Sequence, residues 1–334
     1  MEEFRFAQLD AKIILREVIR NYRFQDTMQI RLLKYSENLT YLLFDNITGD
    51  KKVLRVFRPG YHEDSELEGE LIWINRITED TDVKTPCIYL DKEGNFVSNI
   101  TIENATLHCA VFAYVNGESL SSLTEEQKLF YLEKMGEMMA KLHLQAMNWQ
   151  ESAKVKRFRW DLEELIGEKA RWGRYTLMKG LPEEYMNTYK AAADLIWKRL
   201  EKFGRGKERY GLIHDDISIN NVLLCEGELY LLDFDDCGWG WYLYDIPTAV
   251  LEDFGEDMQK GLGAVLRGYE RYRPLSSEEK TELDTFNVLK KIVRIGWIAT
   301  RSDNDTVKKV KPDYYSQTAA LAQAYIDRYG EKNT

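Results

Sequence analysis

Proline is scarce in this 334-residue chain, with 6 in all, and cysteine and histidine number only 4 each. So little proline, beside 44% hydrophobic and 12% aromatic residues, excludes a disordered or low-complexity polypeptide. Cys87, Cys109, Cys225 and Cys237 form no Cys-x-x-Cys pair and read as reduced core thiols. His62, His108, His143 and His214 are too scattered for a zinc cluster. A basic excess is also missing. The 46 Lys and Arg against 56 Asp and Glu leave a net charge of −10, which argues against phosphate-backbone binding. The longest apolar run, Cys109–Val115, falls far short of the ~20 residues that cross a bilayer. The opening Met-Glu-Glu-Phe-Arg-Phe lacks the cationic start and apolar core of a secretory signal. The expectation is a soluble cytoplasmic protein with neither nucleic acid nor a membrane as partner.

What is present changes character along the chain. Met28–Tyr35, Leu39–Asn46 and Lys51–Arg58 are short strand-like runs that suit an antiparallel meander. Ser65 with Glu68 predicts a capping box, followed by a helix through Leu67, Leu71 and Ile74. Further strands are expected at Ile88–Leu90, Phe96–Ile100 and Leu107–Val115. From Asn116-Gly117 the period becomes helical. Thr124 and Gln127 form a second capping box, and Leu132, Met135, Met139, Leu142 and Ala146 recur at spacings of three and four. Helices are expected over 181–204, 257–273, 276–302 and 314–329. The fold class is therefore α+β, with a small antiparallel β-lobe over 1–115 and a larger, mainly helical lobe over 116–334.

One strand-rich island, Leu212–Asp235, interrupts the helical lobe. Asn221–Cys225 and Glu228–Leu232 form a hairpin around Glu226-Gly227. Asp216 and Asn221 lie at one end of it, and Asp233 lies just beyond its second strand. Magnesium takes hard oxygen ligands and shares its shell with phosphates and water. An Asn and an Asp for the metal, with a second Asp to accept a hydroxyl proton, are the minimal equipment for phosphoryl transfer to an alcohol. Each half of the pattern alone is common as a turn or a helix cap; it is their joint placement that is specific.

The stretch Gly211-Leu-Ile-His-Asp-Asp-Ile-Ser-Ile-Asn-Asn221 through Asp233-Phe-Asp235 resembles the catalytic and metal loops of the aminoglycoside phosphotransferase and choline kinase superfamily, relatives of protein kinases. Arg55-Val-Phe-Arg-Pro-Gly-Tyr-His62, Gly69–Ile74 and Asp233–Asp245 are similar to its homoserine-kinase-type or stress-response-kinase-like bacterial subgroup. The resemblance implies a two-lobed protein-kinase-like fold and an ATP- and Mg2+-dependent phosphotransferase acting on a small-molecule hydroxyl. Residue by residue, it implies Asp216 as the catalytic base and Asn221 and Asp233 as metal ligands. His214 would order the loop, and Asp245 would bind backbone amides. Ala113 and Val115 would meet the adenine edge.

On the third strand the family usually has Lys; here it is Arg55, with Glu70 as expected partner. Glu66, one turn earlier, competes, and a solvated helix face is the plain alternative for both. The phosphate-covering turn Tyr35–Tyr41 contains no glycine, so Ser36 and Asn38 are the candidate donors. Asp215, Asp235 and Asp236 near Trp239, Trp241 and Tyr242 suit a cationic amine. Equally, the carboxylates can cap turns and the aromatics can be core. The basic run Lys290, Lys291, Arg294, Arg301, Lys308, Lys309 and Lys311 reads as a solvated helix face. A stress-response-type protein kinase and a non-catalytic nucleotide-binding regulator are the other readings. The short Cys237–Tyr244 stretch, with no Ala-Pro-Glu after it, favours a small acceptor over a docked polypeptide.

Overall fold

The computed structural model describes residues 6, 9–35, 37–102, 105–251, 258–302 and 305–330. Helix α1 (Ala11–Tyr22) precedes strands β1 (Gln29–Tyr35), β2 (Leu39–Phe44) and β3 (Lys51–Val56). Helix α2 (Asp64–Asp80) and strands β4 (Ile88–Tyr89), β5 (Ser98–Ile102), β6 (Ala105–Ala113) and β7 (Glu118–Ser119) follow. Next come helices α3 (Glu125–Asn148), α4 (Leu162–Leu165) and α5 (Glu183–Phe203), then strands β8 (Tyr210–Ile213), β9 (Val222–Cys225), β10 (Glu228–Leu231) and β11 (Gly238–Trp241). Helices α6 (Met258–Glu270), α7 (Ser277–Thr300), α8 (Asp305–Lys308) and α9 (Tyr314–Tyr329) complete the order. These elements form two units. One is β-rich and comprises Met1–Ser122, Glu151–Arg157 and Val222–Asp235; the other is helical and comprises Leu123–Gln150, Phe158–Asn221 and Asp236–Thr334.

In the β-rich unit a six-stranded antiparallel sheet runs β1-β2-β3-β6-β4, with β5 also paired to β6. The period of two along β2 turns Leu39, Tyr41 and Leu43 into the core, where they join Leu54, Val56, Leu107 and Val111. Each such fully buried side chain contributes roughly 1.5–3 kcal/mol over an exposed one. Helix α1 falls outside the elements expected from sequence. Its Ile14 and Val18 close the same core, and Lys12 N donates to the capping carboxylate of Asp10 at 2.8 Å. Helix α2 starts earlier than expected: its cap is Glu63, whose N–H donates to Glu66 Oε2 at 3.1 Å, so Ser65 and Glu68 do not form the box. β5 and β6 likewise sit two residues from their expected positions. A three-stranded sheet, β10-β9-β7, contains the expected hairpin, with Cys225 opposite Glu228 and positive φ at Glu226 and Gly227.

In the helical unit, α3 begins at the expected box. Gln127 N donates to Thr124 Oγ1 at 3.3 Å and Thr124 N to Gln127 Oε1 at 3.0 Å. Its Leu132, Met135, Met139, Leu142 and Ala146 are buried, α6 packs across it, and α9 packs on α5 and α7. Every residue of α7 from Thr285 to Val293 is buried. The expectation of a solvated basic face fails here, because Lys290 is only 2% and Lys291 9% exposed. The cysteines are all free, and Cys87 is exposed where a core thiol was expected. Among the described residues no helix is long and apolar enough to cross a membrane.

Candidate active site

The loop that follows β8 is fixed from behind by one buried carboxylate. Asp245 Oδ2 accepts from His214 N at 3.0 Å, and Oδ1 accepts from Asp215 N at 2.6 Å. His143 Nε2 lies 3.1 Å from Asp245 Oδ2, and its Nδ1 lies 2.9 Å from Tyr269 OH. Burial works against the Asp245 charge, but the bonds from His143 and His214 outweigh it and hold the carboxyl below its ordinary value. Burial also keeps His143 below the usual imidazole value despite Asp245. The amide-binding role expected of Asp245 is thus seen directly. His214 Nδ1 accepts from Asp216 N at 3.2 Å, a loop-ordering contact.

Those anchors set Asp216, which is half-buried, against Asn221. Asn221 Nδ2 donates to Asp216 Oδ2 at 2.5 Å and to Asp216 O at 3.0 Å. With its amide nitrogen so engaged, Asn221 keeps Oδ1 as a hard oxygen donor. Asp215, between His214 and Asp216, has φ of 71°, a left-handed conformation that Asp tolerates better than most residues.

In the β-rich unit, Asp233 has the same left-handed backbone, at φ 60°, and a side chain that is 43% exposed. Arg55 Nη1 stands 3.8 Å from Asp233 Oδ1, while Nη2 is bonded to the fully buried Glu70. The structure therefore pairs Arg55 with Glu70; Glu66 faces His62 instead, at 3.6 Å. The guanidinium also lies 4.7 Å from the Phe57 ring centroid and 5.2 Å from that of Phe112, stacking of a kind that suits Arg better than Lys. Burial opposes its charge, yet Glu70, Asp235 and Asp233 raise it above the usual arginine value. Asn38 is buried, with Oδ1 accepting from Arg58 N at 3.0 Å. Ala113 ends β6, its N–H donating to Cys87 O at 2.8 Å, and Val115 follows outside the strand, half-buried. Ser36 lies outside the described residues.

No group of three or more His, Cys, Asp and Glu side chains suited to a metal occurs among the described residues. Magnesium needs less than that, since one or two protein oxygens suffice when phosphates and water fill the shell. Asn221 with its amide oxygen and Asp233 with its exposed carboxylate each carry an oxygen of that type.

The cluster expected to suit an amine is largely committed elsewhere. Asp235 faces His62 at 3.4 Å, and Arg157 Nη2 donates to its backbone oxygen at 2.5 Å. Burial disfavours the Asp235 charge, but His62 and Arg55 hold it far below its ordinary value. Burial likewise lowers His62, and Asp235 and Glu66 more than reverse it. Asp215 is bound by Lys290, at 3.0 Å. Trp241 and Tyr242 are core, each 1% exposed. Half-buried Asp236 accepts at Oδ1 from Trp172 Nε1 at 3.4 Å. Sequence reasoning missed His62, Arg157, Trp172 and Lys290. His62 ends a segment already singled out and Lys290 begins the basic run that was read as a solvated face, whereas nothing local marks Arg157 or Trp172.

The phosphotransferase enzyme family matches residues 30–275. An amicoumacin kinase of Bacillus subtilis (strain 168) is 25% identical over 241 residues, 71% of this chain, which spans 66% of that relative's length. The microcompartment-associated aminopropanol kinase structure is 30% identical, with a TM-score of 0.83 over 97% of this chain and 100% of that one. An amicoumacin kinase in complex with AMP-PNP, Ca2+ and Ami shares the fold, at 21% identity and a TM-score of 0.73 over 96% of this chain and 95% of that one. The family's match runs from the first strand past the loop where Asp216 meets Asn221, and this chain belongs to the phosphotransferase enzyme family.

Proposed function

We propose that this chain transfers the γ-phosphoryl group of ATP to the hydroxyl of a small molecule, with an amino alcohol, homoserine and an aminoglycoside as candidate acceptors. The observation that carries the reading is the contact of Asn221 Nδ2 with Asp216 Oδ2, which orients a carboxylate as proton acceptor beside an amide able to serve a cation. Asp216 accepts the hydroxyl proton as the acceptor oxygen bonds to the γ-phosphorus; the bond to the bridging oxygen breaks and ADP leaves. Asn221 and Asp233 supply oxygens to magnesium, which neutralises phosphate charge when bound. Arg55, braced by Glu70, steadies the nucleotide, with backbone help from Ala113 and Val115 and donors at Ser36 and Asn38. Nucleotide binding is assigned to 1–115 and acceptor binding to 116–334. The nucleotide and divalent cation held by the amicoumacin kinase support this reading, and the aminopropanol kinase supports an amino alcohol as acceptor. The short run from Cys237 into β11, which pairs directly with β8, supports a small acceptor over a polypeptide. Four free cysteines suit a reducing cytoplasm.

A screen of amino alcohols, homoserine, choline and aminoglycosides by ADP release tests the reading and names the acceptor. Asp216→Asn is expected to cut turnover by about 10²–10⁴-fold while the calorimetric Kd for magnesium–ATP stays within about twofold. Phosphoryl transfer retained in that variant sinks the assignment.

A further inference from the structure

Lys290 projects from the enclosed middle of α7 to the residue just before Asp216. Its Nζ donates to Asp215 O at 2.8 Å and to Asp215 Oδ1 at 3.0 Å. The same ammonium lies 4.3 Å from the Tyr244 ring centroid and 5.1 Å from that of Trp172. One carbonyl, one carboxylate and two aromatic faces therefore surround it, a cage of the kind that binds cations, here filled by the chain's own amine. Asp215 is fully buried, and its backbone oxygen also accepts from Thr248 Oγ1 at 3.2 Å. Burial disfavours its negative charge and Lys290 favours it, while Asp236 and Asp245 oppose it. A buried carboxylate on a left-handed backbone stays in place only where its surroundings compensate both burdens.

We propose that Lys290 is a positioning residue of the phosphoryl-transfer site: its ammonium pins Asp215 in the left-handed conformation and so holds the adjoining Asp216 carboxylate against Asn221. This rests on the reading of Asp216 as the base. Two properties separate the pin from a general packing role. The pin acts on the orientation of Asp216, so its loss falls on kcat and spares nucleotide binding. It is also required only while residue 215 is a carboxylate, because glycine accepts φ of 71° without a partner and brings no charge.

The test compares Lys290→Met with the double variant Lys290→Met/Asp215→Gly. Lys290→Met is expected to lower kcat by about 10²-fold with KM for ATP within about twofold, as for a misplaced catalytic group. The double variant is expected to regain kcat to within about threefold of wild type, since the strained carboxylate is gone. In the ligand-free protein, amide hydrogen exchange across 214–216 should quicken about tenfold in Lys290→Met and return towards wild type in the double variant. An unchanged kcat in Lys290→Met, or a double variant no more active than the single one, overturns the proposal. If Lys290→Met does not fold, the double variant still decides, because the pin predicts that it folds and turns over. The exchange arm needs no substrate. A wild-type protein that phosphorylates nothing refutes the proposed function, whereas unchanged exchange in Lys290→Met refutes the pin.

Discussion

The carboxyl of Asp215 is pushed up to about 7, first by burial and then by Asp236 and Asp245, with Lys290 pulling the other way. The fold therefore holds a proton there that the unfolded chain, at its ordinary 3.8, releases earlier. That contribution is complete below about pH 4 and is lost as pH rises towards about 7. Asp215→Asn lacks it, so the melting temperature of the variant minus that of wild type should grow between those limits and level off above them. A difference flat across the range contradicts the burial of this carboxylate. The place of Asp215 beside Asp216, the proposed base, was legible in the motif; its pairing with a cation on α7 was not. Lys290 and Lys291 fall in a charged run at helical spacing, which is the pattern of a wet surface. Burial reverses that meaning. Lys291, enclosed and beside Arg294, is lowered to about 8, first by burial and then by Arg294.

Elements marked by short-range chemistry were read closely. The box at Thr124 and Gln127 and the hairpin at Glu226-Gly227 are local contracts between residues one to three apart, and both stand where expected. Helix α2 shows the limit of such reading, because Glu63/Glu66 and Ser65/Glu68 offer the same spacing and the helix is capped by the first. The crossing of α3 and α6 was invisible for a similar reason. A Cβ on Gly268 would come within 1.8 Å of Glu133 O, and one on Gly136 within 2.0 Å of Val265 O. These two glycines let the helix backbones meet, at the usual helical penalty of roughly 1 kcal/mol each. Gly268→Ala should therefore destabilise by about 1–3 kcal/mol through overpacking, although alanine favours helix. Urea unfolding measures this, and a variant as stable as wild type would show that the helices can part without cost.

For the whole molecule, the functional reading predicts linkage between ligand and stability. At a hundredfold excess over Kd, magnesium–ATP should stabilise the protein by about 2.7 kcal/mol, seen as a rise in melting temperature. EDTA should remove most of that rise if Asn221 and Asp233 take the metal with the nucleotide, and a rise indifferent to EDTA counts against them. The sequence alone determined the alternation that builds the β-rich sheet, the helical periods after Asn116-Gly117, and the spacing of Asp216, Asn221 and Asp233. Such features live in a few neighbouring residues, where backbone geometry translates order into position. Tertiary structure decided which charges are buried and with whom: it chose Glu70 over the competing Glu66 for Arg55, and it alone brought Lys290 to Asp215 across 75 positions. An ion pair inside a protein depends on desolvation, and desolvation depends on every segment packed around it.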